Sequence, residues 1–246
     1  MKEAVKTRAL AGIAVFFLLF IVQRLLGKAG YFISDMIPYQ NIDPYDCFIR
    51  LSVHHAVMML IAIIVIIVLS KLLKIDFYFK PGDVRNGMKY VAIFTTAFVV
   101  ISVAVHVFLL LIGQMPKYDF PLDLRNIIGT LGFQMFLTGS TEEIVYRALA
   151  VTLLVHAFGN SIPVKGSITL EVVLASILFA VAHISWSLNP FVIEVNYFGI
   201  LYAFVLGIIQ GIVYQKCKSI LYPVMMHSFS NILMVGTGYL FVALAT

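Results

Sequence analysis

Charge is what this sequence has least of. Only 12% of its 246 residues are Asp, Glu, Lys or Arg, against 61% that are hydrophobic. Soluble domains carry about 25% charged residues. A water-soluble globule is therefore excluded, because a core of this size cannot hide so much apolar surface and lipid must cover the rest. Cysteine is scarce too. Cys47 and Cys217 are the only two, and they offer neither metal-ligand spacing nor a disulfide framework. No HExxH motif occurs, which removes the usual helical signature of a zinc protease. There is no internal repeat and no low-complexity tract. Apolar residues do not alternate with polar ones, which argues against a transmembrane β-barrel. They come instead in continuous runs of helical length.

Seven such runs are present, at about 10–26, 56–73, 90–112, 127–158, 168–188, 198–214 and 221–245. The expected fold class is all-α: one compact, polytopic transmembrane helical bundle of about seven spans. An eighth span would arise if the last run divided at Gly236 and Gly238. The fourth run exceeds the roughly 20 residues a crossing needs, so it is expected to tilt, bend near Gly139 or leave the membrane. The first run has the flanking lysines of a signal peptide, but Arg24 and the lack of a small-residue cleavage site mark a retained anchor. Segments 27–51, 74–89 and 116–125 collect most of the Pro, Asp and Lys and read as loops. With the N-terminus inside, eleven Lys and Arg fall in cytoplasmic segments and four in outer ones. That bias predicts a cytoplasmic N-terminus. The net charge of +5 is thus a topology signal, and no nucleic-acid partner is expected.

Against this background "TEEIVYR", residues 141–147, stands out. A charge at the bilayer centre costs roughly 2.5–3.5 kcal/mol on insertion scales, and intramembrane ionisable residues mark functional sites. Glu143 and Arg147 are four apart and share a helix face, so they are expected to form an ion pair. Glu142 points about 140° away from Arg147 at 100° per residue, with no local counter-charge, and is free to face a cavity as a general base. "LFAVAHISW" puts His183 one turn beyond Phe179, deep in the fifth run. "YPVMMHSFSNIL" puts His227 and Asn231 on one face of the seventh. A carboxylate and a histidine can hold a water, while a histidine and an amide can stabilise an oxyanion. Each residue alone has a plainer reading as helix-packing glue; the joint occurrence on three runs favours chemistry. His54, His55, His106 and His156 have no partner spacing and read as structural.

The three motifs EExxxR (Glu142, Glu143, Arg147), FxxxH (Phe179, His183) and HxxxN (His227, Asn231), in this order and each in an apolar run, resemble the CAAX-protease and bacteriocin-processing family, also called CPBP or Abi. Its members are intramembrane proteases and include the type II CAAX prenyl endopeptidases. The resemblance covers about residues 129–233. It implies residues 127–246 as a catalytic core, preceded by N-terminal helices and loops over 1–126. It further implies that Glu142 and His183 activate the attacking water, that His227 and Asn231 form the oxyanion hole, and that Glu143, Arg147 and Phe179 support the site. The expected substrate is a membrane-associated peptide, prenylated or bacteriocin-like, met in the lipid bilayer. The cofactor stays open. Glu142, His183 and His227 could supply three ligands to zinc, and a metal-free, glutamate-driven hydrolysis is chemically as sound. The rivals are a non-catalytic immunity or scaffold protein and a proton-coupled transporter; against the latter, no pair of interrupted helices recurs in corresponding halves.

Overall fold

The structure, a computed structural model, describes residues 2–188 and 191–245. Seven helices account for the seven apolar runs. They are α1 (Lys2–Ser34), α2 (Ile49–Leu73), α3 (Val84–Leu111), α4 (124–158), α5 (Leu170–Ala182), α6 (Tyr197–Cys217) and α7 (Leu221–Ala245). α4 is one unbroken rod in five pieces: Leu124–Phe133, Gln134–Thr138, Gly139–Glu143, Ile144–Val151 and Thr152–Phe158. Its second and fourth pieces are π-helical. Two antiparallel hairpins interrupt the helices. β1 (Pro163–Lys165) pairs with β2 (Ile168–Thr169), and β3 (Ser185–Leu188) with β4 (Phe191–Glu194).

Among the described residues, five uninterrupted α-helices are long and apolar enough to cross a membrane: Lys6–Ser34 within α1, then α2, α3, α6 and α7. Their outward faces carry large apolar side chains such as Phe17, Leu25, Ile64 and Phe108, each more than half exposed, as lipid contact demands. The protein is an integral membrane helical bundle. The expected count of seven or eight spans is not confirmed: five uninterrupted α-helices qualify by length and composition, and α4, continuous over 124–158, is divided by its π-helical pieces. α5 has 13 residues, about 20 Å of helix, short of a hydrocarbon core of about 30 Å.

Two boundaries differ from expectation. The fifth run is helical only to Ala182; beyond it the Trp- and Ile-bearing segment turns into β3, in keeping with the strand preference of aromatic and β-branched residues. The seventh run does not divide, since α7 passes straight through Gly236 and Gly238. A Cβ at Gly238 would meet Tyr118 Oη at 2.6 Å and His106 Nε2 at 3.1 Å. This glycine lets its neighbours approach closely, as small residues do between membrane helices, and does not break the helix.

The packing has two apolar centres. One gathers α1, α2, α4 and α5 around Leu149, Leu154, Val172 and Leu178. The other joins α3, α6 and α7 around Phe94, Leu206, Tyr222 and Met226. Polar ties link elements far apart in sequence. Ser102 Oγ donates to Leu233 O (2.8 Å), Tyr222 Oη to Pro81 O (2.6 Å), and Ile220 N to Tyr78 O (2.9 Å). The last two bind the α2–α3 loop to the α6–α7 junction.

The start of α2 depends on one buried acid. Asp43, in the α1–α2 loop, accepts from the backbone N–H groups of Cys47 (3.0 Å), Phe48 (2.8 Å) and Ile49 (2.7 Å). These are among the first amides of the helix, which lack intrahelical partners. Burial of Asp43 works to raise its pKa, but the three amide donors outweigh it and hold the carboxyl below its ordinary range. A depressed folded-state pKa stabilises the protein above the unfolded carboxylate value of about 3.9 and is lost as pH falls through the lower folded value. Asp43→Ala should therefore cost about 1–2 kcal/mol at neutral pH, read as a lower melting temperature in detergent. Wild type should lose that margin only below about pH 4. A variant that melts with wild type at pH 7 would contradict the capping role.

Candidate active site

The site is built on α4. The two π-helical pieces flank Gly139–Glu143, so the glutamates sit on a regular turn between widened ones; such insertions recur at functional sites. α7 reaches this turn because of Gly139. A Cβ there would stand 2.7 Å from Ser228 Oγ and 3.2 Å from His227 Cβ. The helix continues through Gly139, and the glycine serves the close approach of α7.

Glu143 and Arg147 are both fully buried. Arg147 Nε lies 3.0 Å from Glu143 Oε2 at i,i+4. The contact has ion-pair distance without hydrogen-bond alignment, for neither atom has a hydrogen-bond partner. Arg147 Nη2 donates to Gln210 Oε1 of α6 at 2.7 Å, and the guanidinium lies over the Phe179 ring at 4.8 Å. The other Glu143 oxygen, Oε1, is 2.8 Å from His227 Nδ1. A carboxylate ionised against Arg147 can only accept, so His227 Nδ1 is the donor. The result is a continuous chain, Arg147–Glu143–His227, that fixes the imidazole and turns Nε2 outward. Glu143 thus does more than balance Arg147.

Glu142 points the other way, as its spacing implies. Its oxygens lie 3.4 Å from His227 Nε2 and 3.6 Å from His55 Nε2. His55, which its spacing left as a structural residue, stands beside Glu142 in the folded chain. It comes from α2, and Thr141 Oγ1 donates to its backbone carbonyl at 3.1 Å. Its Nδ1 faces Leu51 O at 2.9 Å; the carbonyl can only accept, so Nδ1 carries the proton. No spacing could have found His55, because it meets Glu142 only through the packing of α2 on α4.

Glu142, Phe179 and His183 line two cavities at once: one of about 610 Å³ walled by α1, α2, α4 and α5, the other of about 220 Å³ that includes His227 and Asn231. His183 is not deep in a span. It is the residue that ends α5 and is exposed to solvent-sized space. Its Nδ1 faces Phe179 O at 2.9 Å, so Nδ1–H donates and Nε2 keeps its lone pair. It makes no contact with Glu142 of the kind His55 and His227 make; the two share cavity walls. Asn231 Nδ2 donates to Gln134 Oε1 at 2.9 Å, which orients the amide and leaves its second N–H unused. Gln134 and Gln210 were not foreseen. Both act as polar partners inside apolar runs, and only their polarity could have flagged them. Phe179 packs edge-on against both histidines, with ring centroids 4.9 Å from His183 and 6.0 Å from His227.

Among the described residues no three His, Cys, Asp or Glu side chains are grouped to hold a metal ion. His227 Nδ1 is engaged by Glu143 and His183 Nδ1 by Phe179 O, the outer partners that a metal-ligating histidine also has. Both keep Nε2 for the cavity they share with Glu142, so the donor set serves a bound water or a cation alike.

Fold and site together define an integral membrane protein with a carboxylate–histidine centre enclosed between its helices. Residues 124–233 match the family model described as Rce1-like, type II CAAX prenyl endopeptidase Rce1-like. The match takes in somewhat under half of the chain and every residue of the three motifs, and it implies a protease. No curated protein and no solved structure matches. His55 and the α1 wall of the larger cavity lie outside the matched segment.

Removing Arg147 would strand Glu143 in the interior. Breaking a buried pair from one side costs about 3–5 kcal/mol, so Arg147→Ala should show a sharp fall in yield and melting temperature in detergent. Normal yield and an unchanged melting curve would mean the pair contributes nothing to the fold.

Proposed function

We propose that the protein is an intramembrane endopeptidase that hydrolyses a peptide bond of a membrane-associated substrate with a water activated by Glu142. The observation that carries this reading is the place of Glu142: its carboxylate stands where two cavities meet, facing His227, with the free Nε2 of His183 in the same walls. Water held between Glu142 and His183 Nε2 loses a proton to the carboxylate as its oxygen attacks the scissile carbonyl carbon. The carbonyl oxygen takes up the negative charge. His227 Nε2–H and the unused N–H of Asn231 donate to it. The first donor requires a proton on each imidazole nitrogen; Glu143 faces Nδ1 and Glu142 faces Nε2. Collapse of the intermediate breaks the C–N bond. Glu142 returns its proton to the departing nitrogen, which leaves as an amine, and the new carboxyl group stays on the other product.

The family match and the lipid-facing apolar surface of the bundle favour a lipid-attached or otherwise membrane-bound peptide, with a prenylated C-terminus as the first candidate. The count of positive residues supports a cytoplasmic N-terminus. The larger cavity lies near the end of α1 and the start of α2, so that orientation would turn it toward the outer side.

The test is cleavage by purified protein in liposomes, with prenylated CAAX peptides and a set of membrane peptides. Glu142→Gln should lower kcat by at least about 10³-fold, since the general base and the proton carrier are lost together. His227→Ala and Asn231→Ala should each lower kcat by about 10²–10³-fold with little change in KM, as expected for donors that act only in the transition state. A zinc chelator should leave the wild-type rate unchanged. Full activity of Glu142→Gln would sink the proposal, and chelator sensitivity would overturn its metal-free chemistry.

A further inference from the structure

One side chain beside Glu142 has no task in the hydrolysis above. His55 reaches the site from α2, outside the segment that matches the family, and its ring is fixed on several sides. Nδ1–H donates to Leu51 O at 2.9 Å, and the ring lies edge-on to those of His54 and Phe133, with centroids 5.1 and 5.0 Å away. Thr141 Oγ1 ties the backbone of the same residue to α4, one position before Glu142. Nε2 is thereby aimed at Glu142 Oε1, 3.6 Å away, and both side chains line the larger cavity. That distance is too long for a hydrogen bond. Charge explains the gap. Arg147 and a doubly protonated His227 already balance Glu143 and Glu142, and α1 adds the cations Arg24 and Lys28 to the cavity wall. A further cation would be buried without a counter-charge, so His55 is neutral. Its proton is on Nδ1, and Nε2 carries a lone pair. A lone pair and an ionised carboxylate are both acceptors, and here they face each other with no proton between them. Packing asks only for a ring at this position; it does not ask Nε2 to face a carboxylate.

We propose that His55 is a positioning residue for Glu142: its Nε2 accepts a hydrogen bond from the protonated carboxyl and holds that proton between its removal from water and its delivery to the leaving nitrogen. The inference rests on the peptidase reading and adds a residue to its site. Glu142 Oε2 faces His227 Nε2 at 3.4 Å, so Oε1 is the oxygen left for the water. As the water oxygen bonds to the carbonyl carbon, one of its O–H bonds breaks and the proton passes to Oε1. The new O–H points at the His55 lone pair, and a shift of about 0.8 Å brings the two to hydrogen-bond distance. When the C–N bond breaks, the proton leaves Oε1 for the departing nitrogen, and His55 again faces a bare carboxylate. His55 gains and loses no proton over the cycle. The contact is unfavourable before the proton moves and favourable after it, so it lowers the barrier without tightening substrate binding. It also sets the two glutamates apart, since Arg147 holds Glu143 ionised while His55 favours the protonated form of Glu142.

The test uses the full chain in liposomes and the prenylated CAAX peptide of the preceding assay. His55→Ala should lower kcat by about 10–100-fold, the scale of one hydrogen bond made on the way to the transition state, with KM little changed. The missing ring leaves a gap open to the larger cavity, so added imidazole should restore part of kcat. Guanidinium ion, a cation that can only donate, should not. His54→Ala opens a similar gap one residue away, and imidazole should leave its kcat as it is. His55→Gln and His55→Leu guard against misfolding. Both keep bulk, but only the glutamine retains an acceptor oxygen, so it should be the faster of the two. Full activity of His55→Ala, equal rescue by guanidinium and imidazole, a rise in KM with kcat unchanged, or equal rates for the glutamine and leucine variants overturns the role of His55. Any of these alongside an inactive Glu142→Gln leaves the peptidase reading standing and removes this inference alone. Wild-type protein that cleaves no peptide removes both.

Discussion

A buried charge is tolerable in a membrane protein only if its partners are buried with it, and here that condition organises the interior. Arg147 cannot shed its proton and cannot reach water, so Glu143 must stay ionised beside it. Glu143 in turn needs a donor for its second oxygen and finds it in His227. Three helices are thereby tied at one depth: α4 through both glutamates and the arginine, α6 through Gln210, and α7 through the histidine. The chemistry inherits its geometry from this requirement. His227 presents Nε2 to the cavity because Nδ1 is held, and Glu142 is left as the one carboxylate of the pair without a structural duty.

The same economy governs the other two histidines. His55 and His183 each donate Nδ1–H to the carbonyl four residues earlier on their own helix, which leaves Nε2 facing the shared space. His183 gains its freedom because α5 is short. A helix ending at Ala182 puts the next residue at a rim, beside Trp186 of β3, where it can meet substrate and water. A full-length span would have buried it against neighbours. The π-helical pieces of α4 act in a similar sense, widening the rod on both sides of the turn that carries Glu142.

Much of this was legible in the chain, and the reasons are local. The ion pair of Glu143 and Arg147 follows from a four-residue spacing, and so does the shared face of His227 and Asn231. Opposite aims for Glu142 and Glu143 follow from helical geometry alone. What was not legible involves contacts across the bundle or deviations from regular helix. His55 lies 87 positions before Glu142 and on another helix; Gln134 reveals its use only opposite Asn231. Gly238 reads as a breaker in one dimension and is a contact point in three. The end of α5 was misplaced because an apolar run looks the same whether it continues as helix or turns into a hairpin.

The sequence by itself determined that lipid is the solvent, that seven helical segments exist, and that a carboxylate, two histidines and an amide lie within three of them. It did so because hydropathy and i,i+4 periodicity are properties of a single segment. Tertiary structure decided that His55 meets Glu142, and that His227 is held at Nδ1 so that Nε2 is free. It also decided that the α1 cations open into the same space as Glu142. Those are properties of contacts between segments, and no spacing along the chain encodes the distance between two helices that meet only when the bundle closes.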